Sequence, residues 1–373
     1  MRKRIKGLLL TAAVAAALTA CQAPTEKKGE TSPTGSESAQ TESQKTDEAV
    51  KLTLSTQPAP HSLPIFVGIE KGWFEEEGLD IDVLTYISGP PQMEAVASNA
   101  WQLGVSGITA AITGVSSYDL SVMGFSVWDY PSQRLFVRED SEVYQAGAGH
   151  ISDYPEIYGT ADIWKGKKIL CTKGTLGHLQ LLATLKAIGL TENDVDVVHM
   201  EIPAAYQAFK AGEADALVTW STYTLEAEKE GWKEVSSAEK AGLLVPSAIL
   251  ANQDVLQDNP EAAQKVMNVV VRGMQWVNEN KAEASELYFK ICQQEGVNAT
   301  LDFCKETMDQ HNAPTIEEME AMLGDGGYEK NLENVMDFYI EQGTYTAQDK
   351  EKVVSAFDGE MLKNAIEAYK NQK

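Results

Sequence analysis

From residue 51 onward the chain switches repeatedly between two hydrophobic periods, and this alternation limits the folds open to it. Lys51-Leu52-Thr53-Leu54-Ser55 alternates with period two, as a half-buried strand does. Pro64 to Glu77 then places Ile65, Ile69, Trp73 and Phe74 at helical spacing, with Gly78 as a stop. Residues 81–86, 103–105 and 120–125 read as further strands, and 90–97 and 109–116 as the helices between them. A second run opens at Gly166-Lys167-Lys168-Ile169-Leu170-Cys171. It passes through a helix over 179–188 and a strand over 196–199, and reaches Ala214-Asp215-Ala216-Leu217-Val218. Strand and helix in this order build mostly parallel sheets flanked by helices. The pattern predicts two α/β lobes, with crossings near residues 135–140 and 243–251 and no visible internal repeat. Asn259-Pro260, an N-cap followed by proline at the first helical position, opens an almost wholly helical tail to Lys373.

The start of the chain is of another kind. Met1-Arg2-Lys3-Arg4-Ile5-Lys6, an apolar stretch over 8–20 and Leu18-Thr19-Ala20-Cys21 resemble a bacterial lipoprotein signal peptide with its lipobox. The apolar core is shorter than the roughly 20 residues needed to span a bilayer. The resemblance implies a signal peptide over 1–20, lipidation at Cys21, and a mature protein anchored by lipid to the cell membrane on its extracytoplasmic side. Residues 21–49, with no aliphatic side chain larger than alanine or proline after Cys21, read as a disordered tether with a reach of about 30 Å. The remaining body, about 320 residues, is too long for one ordinary core. It divides into lobe 1, residues 51–140 with 246–373, and lobe 2, residues 141–245.

The formal charge is −24, and loss of Arg2, Lys3, Arg4 and Lys6 with the signal takes it to −28. Nucleic acid and anionic lipid surfaces are therefore poor partners, and an anionic ligand must be held by local donors. Of the four cysteines, Cys171 reads as a buried inert thiol, while Cys292 and Cys304 could form a disulfide between neighbouring helices, with a geometry that sequence alone does not set. His61 and His178 could approach across a cleft, but two ligands make a weak metal site. No metal and no cofactor is expected.

Several stretches together resemble a known family. They are Gly68-Ile69-Glu70-Lys71-Gly72-Trp73-Phe74 with Gly78-Leu79-Asp80, Ser88-Gly89-Pro90-Pro91-Gln92, Gly166-Lys167-Lys168-Ile169 with Lys173-Gly174-Thr175, and Gly212-Glu213-Ala214-Asp215-Ala216 ending in Trp220. In order and spacing, from about residue 51 to about residue 290, they resemble the nitrate, sulfonate and taurine solute-binding proteins of ABC transporters, which include relatives that bind thiamine-precursor pyrimidines. The resemblance implies a two-lobed periplasmic-binding-protein-like (type II) fold. It also implies a monomer that closes on a small-molecule ligand and delivers it to an ABC transporter permease.

In open α/β sheets ligands bind beyond the carboxyl ends of strands. That rule points to Gln57 and Pro58, Ser88 and Gly89, Ser106 and Gly107, and Trp128, Asp129 and Tyr130 in the first lobe. In the second lobe it points to Gly174, Thr175 and His178, to Pro203 with Tyr206, and to Trp220 with Tyr223. Thr175 is placed to cap a helix whose first N–H groups suit an anion. The stretch lacks the spacing of a phosphate loop, and His178 has neither a local acid nor a nucleophile beside it. A helix terminus supplies about 0.3–2 kcal/mol, whereas micromolar affinity needs about 8 kcal/mol, so facing loops must supply most of the binding. An aspartate before a turn proline, as at Asp129-Tyr130-Pro131, is most often a solvated turn residue. Relatives often carry an acidic residue and a proline after the tryptophan where this chain has Ser221-Thr222-Tyr223.

The leading expectation is capture of an aliphatic sulfonate or a taurine-like zwitterion. A flat heterocycle, such as a pyrimidine thiamine precursor stacked between Trp128, Tyr130 and Trp220, is the alternative. The fungal pyrimidine-synthase relatives are enzymes with a cysteine-rich motif that this chain lacks, so no catalysis is expected.

Overall fold

The computed structural model describes residues 49–372. The signal peptide, Cys21 and all but the last residue of the tether lie outside the described residues. The strands are β1 (Val50–Thr56), β2 (Leu79–Thr85), β3 (Leu103–Gly107), β4 (Ser121–Trp128), β5 (Arg134–Val137), β6 (Lys168–Cys171), β7 (Asp196–His199), β8 (Ala216–Thr219), β9 (Lys233–Ser237) and β10 (Pro246–Ala251). They form two five-stranded sheets, β2-β1-β3-β10-β4 and β7-β6-β8-β5-β9. Each has four parallel strands and one antiparallel strand, β10 in the first sheet and β5 in the second. In both sheets the antiparallel strand is the one that has just crossed from the other lobe. The expected two-lobed α/β architecture is therefore present, and the lobes share a topology that their sequences do not repeat.

The first crossing lies earlier than residues 135–140. Leu135, Phe136 and Val137 are fully buried in the second sheet, so β5 belongs to lobe 2 and the chain changes lobe over residues 129–133. The boundary was hard to read because an apolar tripeptide suits either core. The helix expected over 64–77 is divided into Leu63–Glu70 and Trp73–Glu76 by Gly72, whose φ of +71° is a left-handed conformation that ends a helix.

The helix Leu176–Ala187 is apolar around most of its circumference because both lobes cover it. Leu176, Leu179 and Leu182 join the first-lobe core, while Leu181 and Leu185 join the second. The long helix Pro260–Glu279 packs Ala263, Val266, Val270 and Met274 into the first-lobe core. Gly273 permits its close approach to the helix Leu63–Glu70, since a Cβ there would sit 2.5 Å from the Pro64 carbonyl oxygen. The helical tail thus stiffens lobe 1 and leaves lobe 2 the smaller body.

Candidate functional site

A cavity of about 350 Å³ lies beyond the carboxyl ends of strands from both sheets. From the first lobe, Gln57 follows β1, Ser88 and Gly89 follow β2, Gly107 ends β3 and Thr109 follows it, and Asp129 follows β4. From the second, Thr175 follows β6, Pro203 follows β7, and Trp220 and Tyr223 follow β8. Among the lining residues there is no lysine or arginine.

The floor of the first lobe is set by a chain of amides. Gln92 donates through Nε2 to Ser55 Oγ (2.8 Å) and to the Val105 carbonyl (3.2 Å), which turns its own Oε1 toward Gln57. Gln57 Nε2 donates to that oxygen and to Ser106 Oγ (2.9 Å). Gln57 therefore faces the cavity with its amide orientation fixed, while Ser106 is buried behind it.

Asp129 is not a solvated turn residue. It is 6% exposed, and Oδ2 lies 3.5 Å from His61 Nδ1, which also meets Ser247 Oγ at 3.1 Å. Burial raises its pKa, but His61, His311 and Ser247 outweigh burial and hold the carboxyl below its ordinary value. A carboxylate at neutral pH thus lines the cavity, enclosed by the loop after β1, the crossing strands and the tail. His61 is 2% exposed, and its Nε2 has no hydrogen-bond partner among the described residues. Since Ser247 and Asp129 meet the same ring nitrogen, the three do not form a nucleophile–base–acid relay, which requires opposite nitrogens.

The second lobe meets the cavity without a charged side chain. Thr175 Oγ1 donates to the Thr172 carbonyl (2.7 Å) and accepts the His178 N–H (3.3 Å), so it caps the helix Leu176–Ala187. The first N–H groups of that helix have no partner within it. His178 is turned away from the cavity: its Nδ1 accepts the Gly174 N–H at 3.4 Å and its Nε2 meets Glu192 at 3.3 Å. Burial lowers the His178 pKa, more than Glu192 raises it. Glu192 is also paired with Lys173. His61 and His178 therefore serve different carboxylates and do not converge.

Of the residues expected at the site, Gln57, Pro58, Ser88, Gly89, Gly107, Asp129, Thr175, Pro203, Trp220 and Tyr223 line the cavity. Ser106, Trp128, Tyr130, Gly174, His178 and Tyr206 do not. Trp128 closes β4 beside Pro246, and Tyr130 opens a short 3-10 turn. Gly174 has φ +80° and faces Pro90 of the other lobe. Tyr206 packs against Trp232 and Tyr223, with its hydroxyl on Glu230; burial and that carboxylate push its pKa up to about 12. The lining residues that strand-end reasoning does not name include His61, Gln133, Ser221 and the segment Glu295–Val297. His61 lies four residues beyond Gln57 in the same loop and was within reach of strand-end reasoning. Ser221 has φ +49°, ψ −129°, a strained conformation for a non-glycine residue that sequence does not announce. Glu295–Val297 comes from the tail, where no strand end pointed.

A protein of Brachyspira hyodysenteriae with the provisional name ABC transporter periplasmic binding protein is 27% identical over 321 residues, covering 86% of this chain and 90% of its own. Among solved structures, the alkanesulfonate-binding protein SsuA of Xanthomonas axonopodis pv. citri, bound to MOPS, aligns with a TM-score of 0.65 at 18% identity, covering 84% of this chain and 99% of that one. The nitrate-binding protein NrtA of Synechocystis PCC 6803 aligns with a TM-score of 0.68 at 15% identity, covering 86% and 89%. These two alignments establish a shared fold. Residues 59–146 and 152–284 match the NMT1/THI5-like family, and the chain belongs to that family.

Proposed function

We propose that the chain is the solute-binding component of an ABC importer, tethered through Cys21 on the extracytoplasmic side, and that it captures a taurine-like zwitterion between its lobes for delivery to a permease. The observation that carries this reading is the division of labour across the cavity. Lobe 1 presents the Asp129 carboxylate, and lobe 2 presents an uncharged helix N-terminus capped by Thr175. A ligand ammonium belongs on the first side and a sulfonate on the second, so each charge engages one lobe and favours closure. A simple anion would meet Asp129 with no lysine or arginine in the lining to offset it. The name of the Brachyspira relative and the ligands named with the two solved structures support import of a small solute as the class. A stacked pyrimidine has less support, because Trp128 and Tyr130 stand outside the cavity while Trp220 lines it. Among the described residues no nucleophile–base pair faces the cavity, so the solute is expected to leave unchanged.

The test is calorimetry with taurine and ethanesulfonate on the wild type and on Asp129→Asn. Loss of the charged contact should weaken taurine by about 1.5–3 kcal/mol while leaving or improving the amine-free sulfonate. Equal responses would sink the zwitterion reading, and a pyrimidine that binds where taurine does not would replace it.

A further inference from the structure

The segment Glu295–Val297, which closes one side of the cavity, lies beyond the family match and is bracketed by two cysteines. Cys292 sits near the end of the helix Lys281–Gln294, and Cys304 lies in the first turns of the helix Leu301–Gln310. Both are fully buried in the first-lobe core, and both are free thiols in this structure. The two helices pack against each other and bring the two thiols within interaction range in one buried cluster that includes Tyr288. The third described cysteine, Cys171, belongs to the other lobe's core and has no such neighbour.

We propose that Cys292 and Cys304 are a dithiol–disulfide site whose oxidation fixes the cavity wall formed by Glu295, Gly296 and Val297. The functional half of this proposal rests on the reading that the cavity takes up a solute. The Val297 N–H donates to the Cys292 carbonyl (2.8 Å) and its side chain packs on the first-lobe core, while Glu295 and Gly296 are exposed and no covalent link joins the two helices. A bond between the sulfurs ties the two helix ends together beneath that wall. The oxidant is a low-molecular-weight disulfide of the glutathione class. The Cys292 thiolate attacks one of its sulfurs, forming a mixed disulfide and releasing one thiol. Cys304, giving up its proton, then attacks Cys292 Sγ and releases the second thiol. Two protein thiols are oxidised, and one disulfide is reduced to two thiols. Complete burial means that the exchange occurs during folding or local opening, as structural disulfides of oxidising compartments form.

The full chain is equilibrated in glutathione buffers from reducing to oxidising, then denatured, and its thiols are counted and its peptides mapped. The expected result is loss of two thiols in one step, a cross-linked peptide joining Cys292 to Cys304, and Cys171 still free. Cleavage after Glu295 by a glutamate-specific protease should slow by about fivefold on oxidation, because proteolysis follows the open population. Taurine, as the probe, should bind the two forms with Kd values about threefold apart, as a pre-organised wall implies. Cys304→Ala should abolish the cross-link and the differences. Should that variant not fold, the wild type compared with and without reductant gives the same readouts. Thiols that stay free throughout, or a cross-link that leaves cleavage after Glu295 unchanged, overturn the proposal. If taurine binds neither form while the cross-link still slows cleavage, the wall device stands and the choice of solute falls.

Discussion

The two lobes share a strand order but bring different chemistry to the cavity between them. In lobe 1 the loop after β4 carries a buried carboxylate, with His61, Ser247 and His311 around it. In lobe 2 the charged residues around the loop after β6, Lys173, Glu192 and His178, are bonded to one another away from the cavity, and what faces it is a hydroxyl and a helix terminus. The difference follows from what covers each loop. The Asp129 N–H donates to the Val245 carbonyl (3.2 Å) of the returning crossing, and the tail brings His311 against it, so its charge is desolvated and has to be paired. The Lys173–Thr175 loop has no such cover, and Lys173 and Glu192 remain partly solvated. Identical topology therefore fixes where the loops converge but not how much water each retains.

The largest effect should come from removing the buried charge. Asp129→Ala is expected to cost about 3 kcal/mol of folding stability, as for one partner of a buried pair, while Glu192→Ala should cost less than about 1 kcal/mol. Urea denaturation of both variants would check this, and equal losses would erase the contrast between the lobes. Acidification separates the groups further. His311 and His178 are held below their ordinary values mainly by burial, so the stability they give is present above about pH 6.5 and is lost as pH falls below it. The Asp129 pKa is also lowered, so its contribution is present above about pH 3.9 and is lost as pH falls through its folded value. Melting curves against pH should therefore fall in two stages. Asp129→Asn should remove the lower stage and deepen the upper, because the charge of Asp129 favours protonated His311.

A steric comparison comes next. A Cβ on Gly89 would lie 2.4 Å from Ala110 Cβ and 3.4 Å from Ser106 Oγ, with a helix fixed on the far side. A Cβ on Gly177 would lie 2.8 Å from Val218 Cγ1, a methyl group that can turn. Gly89→Ala should cost about 1–3 kcal/mol through overpacking. Gly177→Ala should cost less, since alanine regains up to about 1 kcal/mol inside a helix. Thermal unfolding would rank the two, and the reverse order would mean that the second lobe is the more rigid at the cavity.

What the sequence disclosed follows the range of the forces involved. Periodicity is local, so the strands, most helices and the two-lobed class were legible, and strand-end logic reached Gln57, Pro58, Ser88, Gly89, Gly107, Asp129, Thr175, Pro203, Trp220 and Tyr223. Leu135-Phe136-Val137 has the same apolar character whichever sheet receives it, so the crossing was placed too late. Burial depends on distant segments: Asp129 in its turn gives no hint that His61, Ser247 and His311 will enclose it. The same holds for His178, whose orientation is set by Glu192 fourteen residues on, and for Glu295, which the tail folds back to the cavity.

The smallest predicted effects concern two threonines, one in each lobe, and they ask whether a hydroxyl at the cavity serves the fold or the ligand. Thr175 is committed to the protein. Its proton goes to the Thr172 carbonyl and its oxygen accepts from His178, so Thr175→Ala should cost about 1 kcal/mol of stability, the usual worth of a cap. Thr175→Ser should restore it. Thr109 also lines the cavity, but its Oγ1 is buried with no partner among the described residues. An unmet hydroxyl contributes nothing to folding, so Thr109→Val should leave the melting temperature unchanged or raise it slightly. If the cavity takes up a solute with polar ends, that hydroxyl is free to meet it, and the same substitution should weaken taurine by about 0.5–1.5 kcal/mol, the net worth of one hydrogen bond. Melting and calorimetry on the two variants separate the roles. A stability loss in Thr109→Val, or unchanged affinity in both, would show that neither lobe uses its threonine as the geometry suggests.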